Sequence, residues 1–230
     1  MRLQNKIAIV TGAGGEAQCV PCDVSAEADV QAMVDATLRA YGRVDILVNN
    51  AGVNFVKAFE TMTVAEWDRV LNIDLRGAFL CIRACIGPML QQGGGSVVNV
   101  ATAHTGAAVP GVAPYDAAKC GLLGLTRALA VEFAARNIRF NCLSPGLIDT
   151  QIWQDVQNAA EDLEACLAHW RANVPMGRVG TPREMGKVAA FLASDDASYI
   201  TGANLFADGG ITAQLISKES YKSRPVAGDS

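Results

Sequence analysis

This chain predicts an α/β fold: one doubly wound parallel sheet with helices on both faces, in a single domain. Three observations carry that reading. Short, continuously apolar runs alternate with longer amphipathic segments, the pattern of strands buried on both faces by crossing helices. Several of the runs end in small or polar residues, where a ligand crevice lies at the carboxyl edge of such a sheet. The chain has 230 residues, half of them apolar and 18% charged, enough to bury one substantial core.

In chain order, the first strand is read at Lys6–Val10, running straight into Thr11-Gly12-Ala13-Gly14-Gly15. A second strand is predicted at Gln18–Cys22, then a helix at Ala26–Tyr41 with Ser25 as its N-cap. The strand Ile46–Asn49 precedes a long helix, Val64–Gln91, capped by Thr63. The strand Ser96–Val100 and helix Pro114–Arg136 follow, then the strand Arg139–Leu143 and helix Glu161–Asn173. Thr181-Pro182 combines an N-cap with a proline in the first turn and opens the helix Pro182–Ala193. Asn204–Ala207 is the last strand. Residues 1–215 are read as the domain, and the polar stretch 216–230 is expected to fray.

One link does not fit this scheme. Parallel strands need a crossover of a dozen or more residues, and Gly12–Ala17 offers far fewer. Gly14-Gly15-Glu16-Ala17 also reads as a turn entering a strand rather than a helix beginning at a phosphate. A strand and two helices are therefore read as absent near Gly14/Gly15. Either the molecule carries further residues at this point, or a deletion has damaged a nucleotide site.

Composition excludes several classes. The formal net charge is -4 with 19 scattered Lys and Arg, which provides no electrostatic footprint for nucleic acid. No apolar run approaches the ~20 residues that span a bilayer, and the first residues lead into a strand rather than a signal-peptide core, so a cytoplasmic protein is expected. The seven cysteines read as reduced, mostly buried thiols. Cys19-Val20-Pro21-Cys22 has no second pair to complete a metal site, and no metal is expected.

The chemistry centres on Tyr115-Asp116-Ala117-Ala118-Lys119 at the start of a helical stretch. A phenol and an ammonium four residues apart project from one helix face. A nearby cation stabilises the phenolate, and the phenol can then exchange a proton with a substrate alcohol or carbonyl near neutral pH. Thirteen residues earlier, Val97-Val98-Asn99-Val100 reads as a buried strand that delivers Thr102 to the sheet's carboxyl edge, where its hydroxyl could hydrogen-bond the substrate oxygen. Val44-Asp45-Ile46-Leu47-Val48-Asn49-Asn50-Ala51-Gly52 is another strand ending in polar groups and a tight turn.

Taken together, Thr11-Gly12-Ala13-Gly14, Asp23-Val24, Asn49-Asn50-Ala51-Gly52, Tyr115-x-x-x-Lys119 and Ser144-Pro145-Gly146 resemble the short-chain dehydrogenase/reductase family, from Lys6 to Asp208-Gly209-Gly210. The resemblance implies a Rossmann-like fold, NAD or NADP as cofactor, and hydride transfer between the nicotinamide and a small alcohol or ketone. It implies Tyr115 as general acid/base and Lys119 as the residue that lowers its pKa and holds the nicotinamide ribose. Gly12 and Gly14 would approach the phosphates, Asp23 and Val24 the adenine. Asn50, Ala51 and Gly52 would line the cofactor, and Pro145, Gly146, Ile148 and Thr150 would flank the nicotinamide.

Three departures stand out. The glycine motif does not continue as a phosphate-binding helix, and the segment that would separate NAD from NADP is missing. Thr102 stands where serine is usual; the hydroxyl survives, but the added methyl restricts its rotamer. Asp74 stands where asparagine is usual. A carboxylate cannot donate a hydrogen bond, and near Lys119 it competes for the cation and tends to raise the phenol's pKa.

His104, two residues after Thr102, is read as a substrate contact, as is Trp153 in the segment between Thr150 and Pro175, which forms the mobile lid in relatives. The helix Pro114–Arg136 carries small and apolar residues on more than one side, and relatives use it to form dimers and tetramers, so a homo-oligomer is expected. The polar choices Thr102, His104 and Asp116 suggest a sugar or polyol as substrate. A 3-oxoacyl reductase, or a non-catalytic oligomeric relative lacking a complete cofactor site, are the alternatives.

Overall fold

In a computed structural model, which describes residues 3–13, 17–158 and 160–215, five strands pair in parallel in the order of the chain. They are β1 (Ala8–Val10), β2 (Ile46–Asn49), β3 (Gly95–Val100), β4 (Ile138–Pro145) and β5 (Asn204–Ala207). Register is set by Ile9 opposite Leu47, Val48 opposite Val98, Asn99 opposite Cys142 and Leu143 opposite Leu205. All five carboxyl ends consequently lie along one edge, and that edge carries the chemistry.

Alternate residues of each strand face opposite sides, and helices cover both. Ile9, Leu47, Val97 and Phe140 pack against α1 (Glu27–Tyr41), α3 (Gly77–Gln91) and α4 (Ala113–Phe133) through Val30, Val34, Leu80, Cys85, Met89 and Phe133. On the other side Ile46, Val98 and Leu143 lie under Leu192 and Ala193 of α7 (Pro182–Ala193). Thr63 and Thr181 cap α2 (Val64–Leu71) and α7 as expected. Each accepts from the backbone amide of a glutamate three residues on, and that glutamate's carboxylate accepts from the cap's own amide, so two orphan donors are satisfied reciprocally.

Several expectations are corrected. Gln18–Cys22 forms no strand. Its apolar residues are real core elements, with Val20 and Cys22 packed against the α1/α3 cluster, but the short link from β1 leaves no room for a crossover that would place them in the ladder. Ser25 is not the cap of α1. The cap is Ala26, with no side-chain hydrogen bond, because the Ser25 hydroxyl donates to Asp23 Oδ1 at 2.7 Å instead. The single helix expected over Val64–Gln91 is interrupted by a π turn at Asn72–Arg76. The helix α5 (Gln151–Asn158), not anticipated, precedes α6 (Leu163–Ala172). The stretch 216–230 lies outside the described residues.

With Gln18–Cys22 out of the sheet, β1 is its edge among the described residues, and Val10 remains 45% exposed. No described helix is long and apolar enough to cross a membrane.

Candidate active site

The turn leaving β3 and the first two turns of α4 bring the expected catalytic groups together. Lys119 is buried, 4% exposed. Its Nζ donates to the carbonyl of Val100 at 3.0 Å and lies 5.5 Å from the centre of the Tyr115 ring. Thr102, also buried, caps a short turn at Ala103–Thr105 by accepting from the amide of His104 at 3.3 Å. His104 Nδ1 lies 2.8 Å from Asp116 Oδ1, and its ring meets Tyr115 edge-on. The loop histidine is thus held beside the phenol by the residue next to it in sequence.

Asp74 enters from the π turn, a local widening of the helix that re-aims side chains and is frequent at functional sites. Its carboxylate is fully buried; Oδ2 lies 3.3 Å from Lys119 Nζ, and Oδ1 accepts from the Val53 amide at 2.8 Å. The adjacent turn must be bare to admit this pair. A Cβ on Gly52 would lie 3.0 Å from Asp74 Oδ2 and 3.2 Å from Lys119 Nζ.

Burial dominates the Tyr115 phenol in this arrangement. The phenol is pushed up to about 12, first by burial; the Thr102 hydroxyl pulls it back, and the charges of Asp74 and Asp116 push it further. Burial also raises Asp74, against the pull of Lys119 and the Val53 amide.

Beside this group the first two strand ends interlock. Thr11 Oγ1 accepts from the amides of Asn50 and Ala51, both at 3.0 Å, and Asn50 Nδ2 donates to the carbonyls of Thr11 and Gly12. Gly12 adopts a positive φ of 64°, and a Cβ there would sit 2.8 Å from the Ala51 Cα. Gly14 lies outside the described residues. Asp23 is engaged with the amide and hydroxyl of Ser25. Val24, expected at an adenine, is buried in the core against Gly77.

At the far strand end Pro145 and Gly146 pass close to Asp208, so close that a Cβ on Gly146 would meet its Cα at 2.6 Å. Ile148 bridges to Gly180, and the Thr150 hydroxyl turns back to the Ile148 carbonyl at 3.4 Å. Trp153 is 4% exposed and packs edge-on against Trp170, joining α5 to α6. In this arrangement Trp153 packs between α5 and α6 and presents little surface to a ligand.

Sequence reasoning missed a buried polar line behind the site. Asn49 Nδ2 donates to Asn99 Oδ1 at 2.8 Å, and Asn99 Nδ2 donates to Thr126 Oγ1 at 2.8 Å, tying β2 and β3 to α4. The signal was available: an asparagine inside the apolar run Val97–Val100 must find a partner when buried.

A nicotinamide dinucleotide, which the pattern implies, fits one end of this arrangement. Tyr115, Lys119, the turn Asn50–Gly52 and the Pro145-Gly146 corner share one edge and would hold the nicotinamide end. The diphosphate end does not fit. Among the described residues neither helix nor strand stands between Val10 and Glu27, so no helix N-terminus follows β1 directly to receive an anion.

A parallel sheet with a tyrosine, a lysine and a hydroxyl gathered at its carboxyl edge has the layout of a doubly wound fold with its ligand crevice at that edge. Comparison with known proteins makes this specific. The model of the enoyl-(acyl carrier protein) reductase family matches residues 2–212. The (2S)-[(R)-hydroxy(phenyl)methyl]succinyl-CoA dehydrogenase subunit BbsD of Thauera aromatica is 40% identical over 82% of this chain and 73% of its own. The 3-oxoacyl-[acyl-carrier-protein] reductase FabG of Chlamydia pneumoniae is 37% identical over 92% of this chain and 83% of its own. The aldohexose dehydrogenase of Thermoplasma acidophilum superposes with a TM-score of 0.85 at 30% identity, over 91% of this chain and 85% of that one. The chain belongs to the short-chain dehydrogenase/reductase family.

Proposed function

We propose that the protein is an NAD- or NADP-dependent oxidoreductase acting on a small alcohol or ketone, with Tyr115 as its acid/base. The observation that supports this most directly is the convergence of Tyr115, Lys119 and Thr102 at the carboxyl end of β3, beside the bare turn at Gly52. When bound, the nicotinamide supplies or accepts the hydride. The chain's part is the proton. In reduction the Tyr115 hydroxyl donates to the carbonyl oxygen as that carbon gains hydride, and in oxidation the phenolate takes the hydroxyl proton. Thr102 steadies the same oxygen with a hydrogen bond.

A sugar or polyol is the favoured substrate class, supported by the polar setting of Thr102, His104 and Asp116 and by the likeness to an aldohexose dehydrogenase. A 3-oxoacyl reductase reading is supported by the relative from Chlamydia. The soluble, cytoplasmic setting belongs to this reading, as does assembly into a homo-oligomer. An open apolar groove of about 570 Å³ between the π-turn helix pair and α4, lined by Leu75, Phe79, Gly121, Gly124 and Leu125, supports pairing with a second copy.

A non-catalytic oligomeric relative is the second reading, favoured by the lack, among the described residues, of any helix or strand between Val10 and Glu27. The two separate on a panel of polyols, sugars, ketones and 3-oxoacyl thioesters followed by nicotinamide absorbance with both cofactors. Turnover that disappears in Tyr115→Phe supports the enzyme; no turnover with any member supports the second reading.

A further inference from the structure

We infer that Asp74 is a positioning residue that binds Lys119 as its counter-ion and thereby keeps Tyr115 a neutral phenol, so that the site gives a proton to a carbonyl oxygen rather than taking one from an alcohol. The inference rests on the acid/base role proposed for Tyr115 and adds to it a direction, carbonyl reduction, and the residue that sets it.

The argument is one of geometry and charge count. Lys119 has little freedom: its Nζ is held between the Val100 carbonyl at 3.0 Å and Asp74 Oδ2 at 3.3 Å, beside a turn that is bare at Gly52, where a Cβ would come within 3.2 Å of Nζ. Asp74 is as firmly placed, anchored by the Val53 amide and aimed by the π turn. The enclosed space beside the pair is only about 10 Å³, too small for more than a single water to intervene. The ammonium therefore faces a carboxylate at contact distance and the phenol ring at 5.5 Å.

With an asparagine at position 74, ionising Tyr115 would turn a lone buried cation into a neutral pair. With Asp74 ionised against Lys119, the pair is neutral already, and ionising the phenol leaves one uncompensated negative charge in a buried site, which is costly. The other groups facing the phenol do not repair this. Asp116, one residue on along α4, adds negative charge; His104 from the Ala103–Thr105 turn is bound to Asp116; Thr102 offers a hydroxyl hydrogen bond but no charge. The upward displacement of the phenol agrees with this count.

A neutral phenol is ready to donate. In reduction the Tyr115 O–H bond breaks, its proton goes to the carbonyl oxygen, and the carbonyl carbon takes the hydride that the nicotinamide supplies. In oxidation the same group must first lose its proton, so that rate should climb about tenfold per pH unit through the neutral range.

The test reads the phenol without any cofactor. Near-ultraviolet tyrosinate absorbance is titrated for the native protein and for Asp74→Asn, each with its Tyr115→Phe counterpart subtracted. The expected result is no Tyr115 step up to about pH 10 in the native protein, and a step at least about one unit lower in Asp74→Asn, a tenfold gain in phenolate at a given pH. A step in the same place in both overturns the inference. If Asp74→Asn fails to fold, Cζ-labelled tyrosine followed by NMR in the native protein decides, with the Tyr115 resonance assigned by its loss in Tyr115→Phe. A neutral-phenol shift up to about pH 10 supports the inference, and a titration complete by about pH 9 overturns it. The acid/base reading is checked separately by turnover of Tyr115→Phe: retained turnover removes that reading, whereas lost turnover with an early phenol step removes the Asp74 inference alone.

Discussion

His104 Nδ1 lies 2.8 Å from Asp116 Oδ1, and the imidazole meets the Tyr115 ring edge-on with centroids 5.9 Å apart. Asp116 occupies the helix position directly after the tyrosine, so one side chain of α4 orients the loop histidine against the other. Asp116→Ala frees the ring, and His104→Ala removes it. Both should raise KM for the substrate, with kcat/KM falling about tenfold, roughly the worth of one charged hydrogen bond. Steady-state kinetics on the preferred substrate check this; unchanged KM in both variants removes His104 from the substrate site.

Tyr115→Phe deletes only the hydroxyl. Loss of a general acid should reduce turnover by about 10²–10⁴-fold, while the melting temperature stays close to that of the native protein. Single-turnover measurements with excess enzyme separate this chemical loss from weaker substrate binding.

Dinucleotide binding should depend almost wholly on the nicotinamide end. With no helix between β1 and Glu27 among the described residues, the diphosphate and adenosine should add little. Calorimetry should find NAD, NADP and nicotinamide mononucleotide within about tenfold of one another, less than 1.4 kcal/mol apart. A dinucleotide that binds a thousandfold tighter than the mononucleotide would show that the segment around Gly14 builds a phosphate site after all.

The two capping boxes make stability sensitive to acid. Lys57 holds Glu66 down to about 2 and Arg178 holds Glu184 down to about 2, each helped by the threonine it caps with. Folded values below the unfolded ones mean that this stabilisation is present above pH ~4.5 and is lost as pH falls through ~2. The melting temperature of the native protein should therefore drop more steeply over this window than that of Glu66→Gln/Glu184→Gln. Added salt should shrink the difference, because both carboxylates are solvent-screened.

Gly12→Ala combines a left-handed backbone with a Cβ 2.8 Å from the Ala51 Cα. It should destabilise by about 1–3 kcal/mol and loosen the turn Asn50–Gly52 that faces Lys119. Urea unfolding measures the first effect, and loss of turnover exceeding the loss of folded protein measures the second.

The strands at Ile46–Asn49 and Asn204–Ala207 were legible because short, largely apolar runs bounded by polar residues have few other uses in a chain that packs one core. The Thr63 and Thr181 caps were legible because a threonine followed three residues later by glutamate satisfies amides that every helix leaves open. Gln18–Cys22 was misread for the converse reason. It reads as a strand-like run, but a strand exists only if a neighbour can reach it, and the link after Gly12 is too short. The π turn at Asn72–Arg76 was invisible, since weak helix formers such as Asn72 and Asp74 occur in ordinary helices as well, and only the fold shows Asp74 meeting Lys119 and the Val53 amide from it.

The order of residues alone determined the family, the parallel sheet and the identities of Tyr115, Lys119, Thr102 and Asp74, because these follow from local pattern and spacing along one chain. Which of two neighbours holds the lysine was decided only by folding. Charge acts through distance, and the distances from Nζ to Asp74, Val100 and the Tyr115 ring come from three separate elements meeting at the sheet edge.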